Sequence, residues 1–128
     1  GVPLIHVPCL GVASHVLTTR AELAETIAGR NAVCDFLYQR FCEYSTDHFA
    51  FAKEIWDVAA VAWLINADWL PSRVVPSPRL AGQWKLGVGG DVHFEVAPDR
   101  HPIRELWFAY RNPIFRDLFL KLQRIGQE

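Results

Sequence analysis

Methionine is absent from the 128 residues, and cysteine occurs only as Cys9, Cys34 and Cys42. An odd count with no CxxC or other metal spacing fits reduced thiols in a cytoplasmic protein better than a disulfide framework, and three buried, inert thiols are expected. No stretch approaches the ~18 consecutive apolar residues of a membrane span, and no basic region followed by an apolar signal core opens the chain. A soluble protein without a membrane partner is therefore expected. Charge of one sign is lacking too. Thirteen basic residues face 14 acidic ones, for a formal net charge of −1, and no block of like charge occurs. Nothing here invites nucleic acid or an anionic surface. The Gly-rich LGVGGD at 86–91 lacks the GxGxxG spacing and no helix pattern follows it, so a loop with positive φ angles is expected in place of a phosphate cradle. GxSxG, HExxH, internal repeats and low-complexity stretches are missing as well.

What is present suits one packed domain: 51% of residues are hydrophobic and 12% aromatic. The chain opens on GVPLIHV, which has the pattern of a strand covered on both faces, as in a parallel sheet, with His6 as a core histidine. With no Met at position 1 and a core strand at the very start, a piece of something longer is expected, although removal of an initiator Met before Gly1 would leave the same start. Cys9 to Leu17 then carries His15 toward a helix start, in a loop where it could line a ligand site.

Thr19-Arg20-Ala21-Glu22 is a capping box and Gly29 a natural C′ residue, which predicts a helix over Arg20 to Ala28. Asn31 caps a second helix to about Tyr44, whose stripe Val33, Phe36, Leu37, Phe41 and Tyr44 is expected in the core. Ser45 to Ala52 has no period and is expected to be a solvated turn. Asp47 and His48 are adjacent within it, a poor geometry for an acid/base pair. Beyond residue 70, short β-rich runs at Ser72 to Val75, about 83–88, Val92 to Val96 and Ile103 to Tyr110 are separated by Pro and Gly. His93 alternates within one of these strands and needs no function. Asn112-Pro113 starts a last helix, with Ile114, Phe115, Leu118, Phe119, Leu122 and Ile125 as its apolar stripe and Asp117 with Lys121 paired outside.

The organising stretch is Lys53 to Leu70, KEIWDVAAVAWLINADWL. From Val58 to Ile65 it is apolar on every face, so a helix buried on all sides is expected, stopped by Asn66-Ala67-Asp68 and Pro71 with Trp69 and Leu70 folded back as a cover. Asp57 stands at its start, where a carboxylate can cap the first N–H groups or serve a site, and Trp56 stands beside it. One carboxylate is neither a calcium cage, which takes about six to eight oxygens, nor a glycosidase pair. From the residues alone the fold class is α/β.

IWDVAAVAWLINADWL resembles the C-terminal part of the inosine-uridine preferring nucleoside hydrolases, where an Asp opens a buried helix of the form D-x-x-A-V-A-x-L and a hydrophobic-Pro-Ser turn follows, here Trp69-Leu70-Pro71-Ser72. GVPLIHVPCLGVASHVLTT is similar to the strand, loop and helix that precede it, with Leu10, Val12 and His15 on the pattern Leu-x-Val-x-x-His. YRNPIFRDLFLKL resembles the closing helix. The resemblance implies the C-terminal portion of an open mixed sheet with helices packed on it. It also implies an N-ribohydrolase that cleaves the N-glycosidic bond of purine-leaning nucleosides, with calcium as cofactor and a homo-oligomer as the assembly. Asp57 would be a calcium ligand and Trp56 a surface stacked on the base, as in the purine-preferring branch, with His15 and His48 as lining groups of the substrate site. The D-x-D-x-x-x-D-D motif that supplies most calcium ligands and the general base is absent, as is the Glu-Phe-Asn segment that binds ribose. No catalytic residue is therefore assigned within this chain, which alone is expected to be inactive. A non-catalytic module derived from that fold, binding a small ligand or a protein, is the alternative from another class.

Overall fold

Two polar side chains start two helices. Thr19 Oγ1 accepts the N–H of Glu22 (3.1 Å) at the head of α1 (Arg20–Thr26), and Asn31 Oδ1 accepts that of Cys34 (2.9 Å) at the head of α2 (Ala32–Tyr44). Between them Gly29 takes φ +75°, the left-handed conformation that lets the first helix end and the chain reverse. Asn31 does a second job, its Nδ2 donating to the carbonyl of Leu122 in the closing helix (2.8 Å). The two roles can be separated. Asn31→Ala is expected to cost about 1–2 kcal/mol, whereas Asn31→Asp keeps the cap, loses the donor and should cost about 1 kcal/mol, as read by urea denaturation. No loss in Asn31→Asp would show that the tie to Leu122 contributes nothing, and equal losses in the two variants that the cap contributes nothing.

The computed structural model describes residues 2–83, 90 and 92–127. The chain is mixed α/β. β1 (Ile5–His6) leads through a turn of 3-10 helix (Ala13–His15) to β2 (Leu17–Thr18), then α1 and α2, β3 (Lys53–Glu54), α3 (Val58–Ile65) and a second 3-10 turn (Ala67–Trp69). β4 (Ser72–Pro76), β5 (Arg79–Gly82), β6 (Val92–Glu95), β7 (Pro102–Leu106) and α4 (Arg111–Arg124) complete it. β7 is the middle strand of a small open sheet, with β1 parallel to it on one side (Ile5 opposite Arg104) and β4 antiparallel on the other (Val74 opposite Arg104). β2 with β3 and β5 with β6 form separate antiparallel pairs.

The core gathers around α4, where Ile114, Phe115 and Phe119 meet Leu23 and Ile27 of the first helical turn region, Cys34 and Phe41 of α2, and Leu70 and Leu106. Leu70 is fully buried and Trp69 packs on the same cluster, the cover expected for them. Asp117 and Lys121 form the outward pair expected at i, i+4. Among the described residues no helix is long and apolar enough to cross a membrane.

Several expectations need correction. β1 is covered on neither face, with Val2, Leu4 and Ile5 exposed. His6 lies on the surface, its Nδ1 3.6 Å from Glu105 Oε1. The α3 helix is not buried on all sides: Ala59 and Ala62 face inward, while Val61 is 56% and Leu64 75% exposed. Its small side chains allow close approach on one face, and the large ones stand outside because no described element lies over them. In α2 Cys34 and Phe41 are buried, with Tyr38 half-buried between them at spacings of four and three; of the expected stripe Phe41 reaches the core, while Val33, Phe36, Leu37 and Tyr44 are exposed. Ahead of the helix, Lys53 and Glu54 form a short strand.

Cys9 is exposed and Cys42 half-buried, so only Cys34 is the buried thiol expected of all three. The last helix starts at Arg111 with no side-chain cap, one residue before Asn112. β7 ends at Leu106, short of Tyr110, although the backbone keeps bonding to the segment before β4, Trp107 N–H to the Pro71 carbonyl (3.1 Å) and Tyr110 N–H to that of Trp69 (2.8 Å), up to the head of α4. The strand expected at 83–88 lies, apart from Gln83, outside the described residues, as does the Gly-rich loop apart from Gly90. The strand observed there is β5, just before it.

Candidate functional site

Asp57 precedes α3 with helical dihedral angles (φ −69°, ψ −22°), which carry its side chain away from the first-turn N–H groups; it makes no cap hydrogen bond and is exposed. The first-turn amides bond instead to the backbone before it, Val58 N–H to the Ile55 carbonyl (3.2 Å) and Ala59 N–H to that of Trp56 (3.2 Å). The capping role expected of Asp57 is thus taken by a backbone turn, and its carboxylate is left toward solvent. It stands at the edge of an apolar groove of about 350 Å³ between α3 and α4, walled by Val58, Val61, Trp69, Ile114 and Leu118. Asp117 and Lys121 stand on the far wall, already paired to each other. Reading along the sequence places that pair only on the outer face of the last helix. Its position across from Asp57 is a product of the packing of α4 on α3 and has no local signal.

Trp56 is half-buried and packs on the core. The β2–β3 ladder brings His15 toward it: Leu17 faces Glu54, the Ile55 N–H bonds to the Val16 carbonyl (2.8 Å), and His15, the last residue of the 3-10 turn, precedes Val16 as Trp56 follows Ile55. The exposed His15 ring lies against Phe108, with centroids 4.9 Å apart.

His48 is elsewhere. Its Nε2 lies 3.1 Å from the Cys42 carbonyl and its ring stacks on Phe41 and meets Phe51 edge-on, beside a different groove that includes Thr19 and Arg20. The solvated turn expected for STDHFAFA holds for Asp47, whose Oδ1 accepts the Phe49 N–H (2.8 Å), but His48 is half-buried among aromatics. Three of the four candidate residues, His15, Trp56 and Asp57, therefore share one end of the β2–β3 ladder, and His48 does not join them. On α2, Tyr38 holds its phenol proton above the ordinary range, chiefly through a hydrogen bond to Cys42 and then through burial.

Among the described residues no three His, Cys, Asp or Glu side chains stand together as a metal site. Asp57 offers one carboxylate, and Asp117 is committed to Lys121. Against the roughly six to eight oxygens of calcium, that is a single ligand. Searched against models of known families, the chain matches none, and no curated protein matches it.

Proposed function

We propose that this chain is the C-terminal segment of a calcium-dependent, purine-leaning nucleoside N-ribohydrolase. What supports it is Asp57 itself: an exposed carboxylate at a helix start, not spent on capping, directly after a half-buried Trp and with His15 in the turn that leads into the neighbouring strand. The order of the three stretches that resemble the nucleoside hydrolases adds to this. The exposed apolar faces of α3 and β1 suit a segment that packs against further protein. A nucleoside is the substrate of the complete enzyme, and a homo-oligomeric cytoplasmic assembly belongs to the same proposal.

In that enzyme calcium would supply the charge that orients the ribose diol and a water. This chain's own part is positional. Asp57 contributes one carboxylate oxygen, held by the backbone turn at Ile55–Trp56. Trp56, fixed from behind by the core, offers the rest of its ring to a purine, where base stacking is worth about 1–3 kcal/mol. The general base is not among these residues.

Calcium titration by calorimetry, paired with inosine hydrolysis followed by absorbance, tests this on the full-length protein that carries the segment. Asp57→Ala is expected to weaken calcium binding by more than about tenfold and to remove hydrolysis. Trp56→Phe is expected to raise KM for purine nucleosides more than for uridine. Calcium binding that survives Asp57→Ala unchanged would sink the assignment.

A further inference from the structure

Another hollow, of about 360 Å³, lies among α1, α2 and α4, walled by Leu23, Ile27, Phe41, Phe115, Phe119 and Leu122. All but Leu122 are buried side chains, and Leu122 packs on the same cluster. Thr18 also reaches this wall, but its hydroxyl already donates to Glu22 Oε2 (2.7 Å). The interior therefore offers a ligand apolar contact and no polar partner, which rejects a ribose or any other body rich in hydroxyls. The size is at the low end of small-ligand sites, roughly 300–1,000 Å³.

Its mouth is different. Leu37 and Tyr44 form the rim with two cations, Arg40 and Lys53. Arg40 is paired with Glu43, one turn along the same helix. Lys53, from β3, has no carboxylate partner among the described residues, and its ammonium sits 3.6 Å from the centre of the Tyr44 ring, which pins it at the opening. An apolar hollow, open to solvent on one side and with an unpaired cation at its rim, is complementary to an apolar body that ends in an anion.

We propose that this cavity binds a medium-chain carboxylic acid, with the alkyl chain among Leu23, Ile27, Phe41 and Phe119 and the carboxylate at Lys53. Each buried methylene contributes about 0.8 kcal/mol, so the chain supplies affinity and Lys53 supplies the choice of head group. The site goes beyond the nucleoside-hydrolase proposal and uses neither Trp56 nor Asp57, so either can fail alone.

The test is calorimetric titration of the 128-residue chain with decanoate and with decyltrimethylammonium, which share a tail and differ in the sign of the head. Decanoate is expected to bind once per chain, and the cationic amphiphile at least about tenfold more weakly. Lys53→Gln should weaken decanoate about fivefold and leave decanol unchanged. Leu37→Trp, at the half-exposed rim where folding tolerates it, should block the entrance while far-ultraviolet circular dichroism stays as in the unaltered chain. Equal affinity for the two head groups overturns the proposal, as does decanoate binding that Leu37→Trp leaves intact, since the tail then lies on the exposed faces of α3 or β1. So does a failure of the unaltered chain to bind decanoate.

Discussion

Leu106→Ala is expected to cost about 3 kcal/mol, a large share of the ~5–15 kcal/mol that holds a domain together. Leu106 ends β7, the middle strand of the sheet, and its side chain is fully buried against the cluster around α4. Truncation there removes apolar burial and leaves a void whose walls come from different elements and cannot all close in. The paired strand provides an internal control. Val74 lies on β4 of the same sheet but is 62% exposed, and Val74→Ala should cost less than about 0.5 kcal/mol. Urea denaturation gives both numbers. A cost under about 1 kcal/mol at Leu106 would mean that the core does not close over the sheet as described.

How far the sequence foretold this depends on the range of the interaction. Thr19, Gly29 and Asn31 act within a few residues, so their chemistry is visible in the letters and the structure uses it. Asp57 was equally local yet failed as a cap. Cap competence depends on extended backbone at the cap residue, and the turn at Ile55–Trp56 holds Asp57 in helical dihedral angles instead. Uniform hydrophobicity from Val58 to Ile65 favours burial on every side, but hydrophobicity only states a tendency. Burial needs neighbours, and in the described structure only the Ala59 and Ala62 side has them.

The same reasoning explains α2, where an aromatic stripe looked like the core face while the packed line runs through Cys34, a small residue that lets α4 approach: its Sγ lies 3.5 Å from the Leu122 carbonyl. For the candidate site, the sequence placed Trp56 beside Asp57 trivially and His15 nearby only through the resemblance. The β2–β3 register that brings His15 alongside is tertiary, and so is the groove that faces Asp57 with Asp117. Lys53 opened the organising stretch with no role assigned to it.

Arg111→Ala is expected to cost about 2 kcal/mol, after allowing for partial solvent screening of its ion pair. Arg111 is the first residue of α4, the end of a helix where a cation is disfavoured by the dipole. Its side chain turns away to other duties. Nε donates to the Leu17 carbonyl of β2 (2.7 Å), Nη2 pairs with Glu22 of α1, and the guanidinium lies over the Phe115 ring at 4.5 Å. Glu22 in turn accepts from Thr18 (2.7 Å), so one carboxylate and one guanidinium join β2, α1 and α4.

A planar fork can serve a carbonyl and a carboxylate together, and an ammonium cannot reach both in the same geometry. Arg111→Lys should therefore recover less than half of the loss. In a double-mutant cycle with Glu22→Ala the coupling should be about 1 kcal/mol. Additivity within about 0.3 kcal/mol would remove Glu22 from the tie. Neither residue carried a signal at the sequence level beyond the capping box, because the partners come from opposite ends of the chain.

The pairing of β1 with β7 sets an order of events in folding. Ile5 and His6 align with Arg104 and Glu105, and the Arg104 N–H reaches the Leu4 carbonyl (3.0 Å). Nearly the entire chain must form the loop that brings these two short segments together. Closing such a loop costs only slightly more than closing one of half its length, since the entropy grows as the logarithm, but the contact is as non-local as this chain allows, and non-local contacts form late. The β4–β7 pair, closed by a much shorter connection and extended over five residue pairs, is expected to assemble first and to present its open edge to β1. Until β1 arrives, that edge is a row of unpaired backbone groups. The slowest step of folding is then also the interval in which the protein is most open to pairing with another chain.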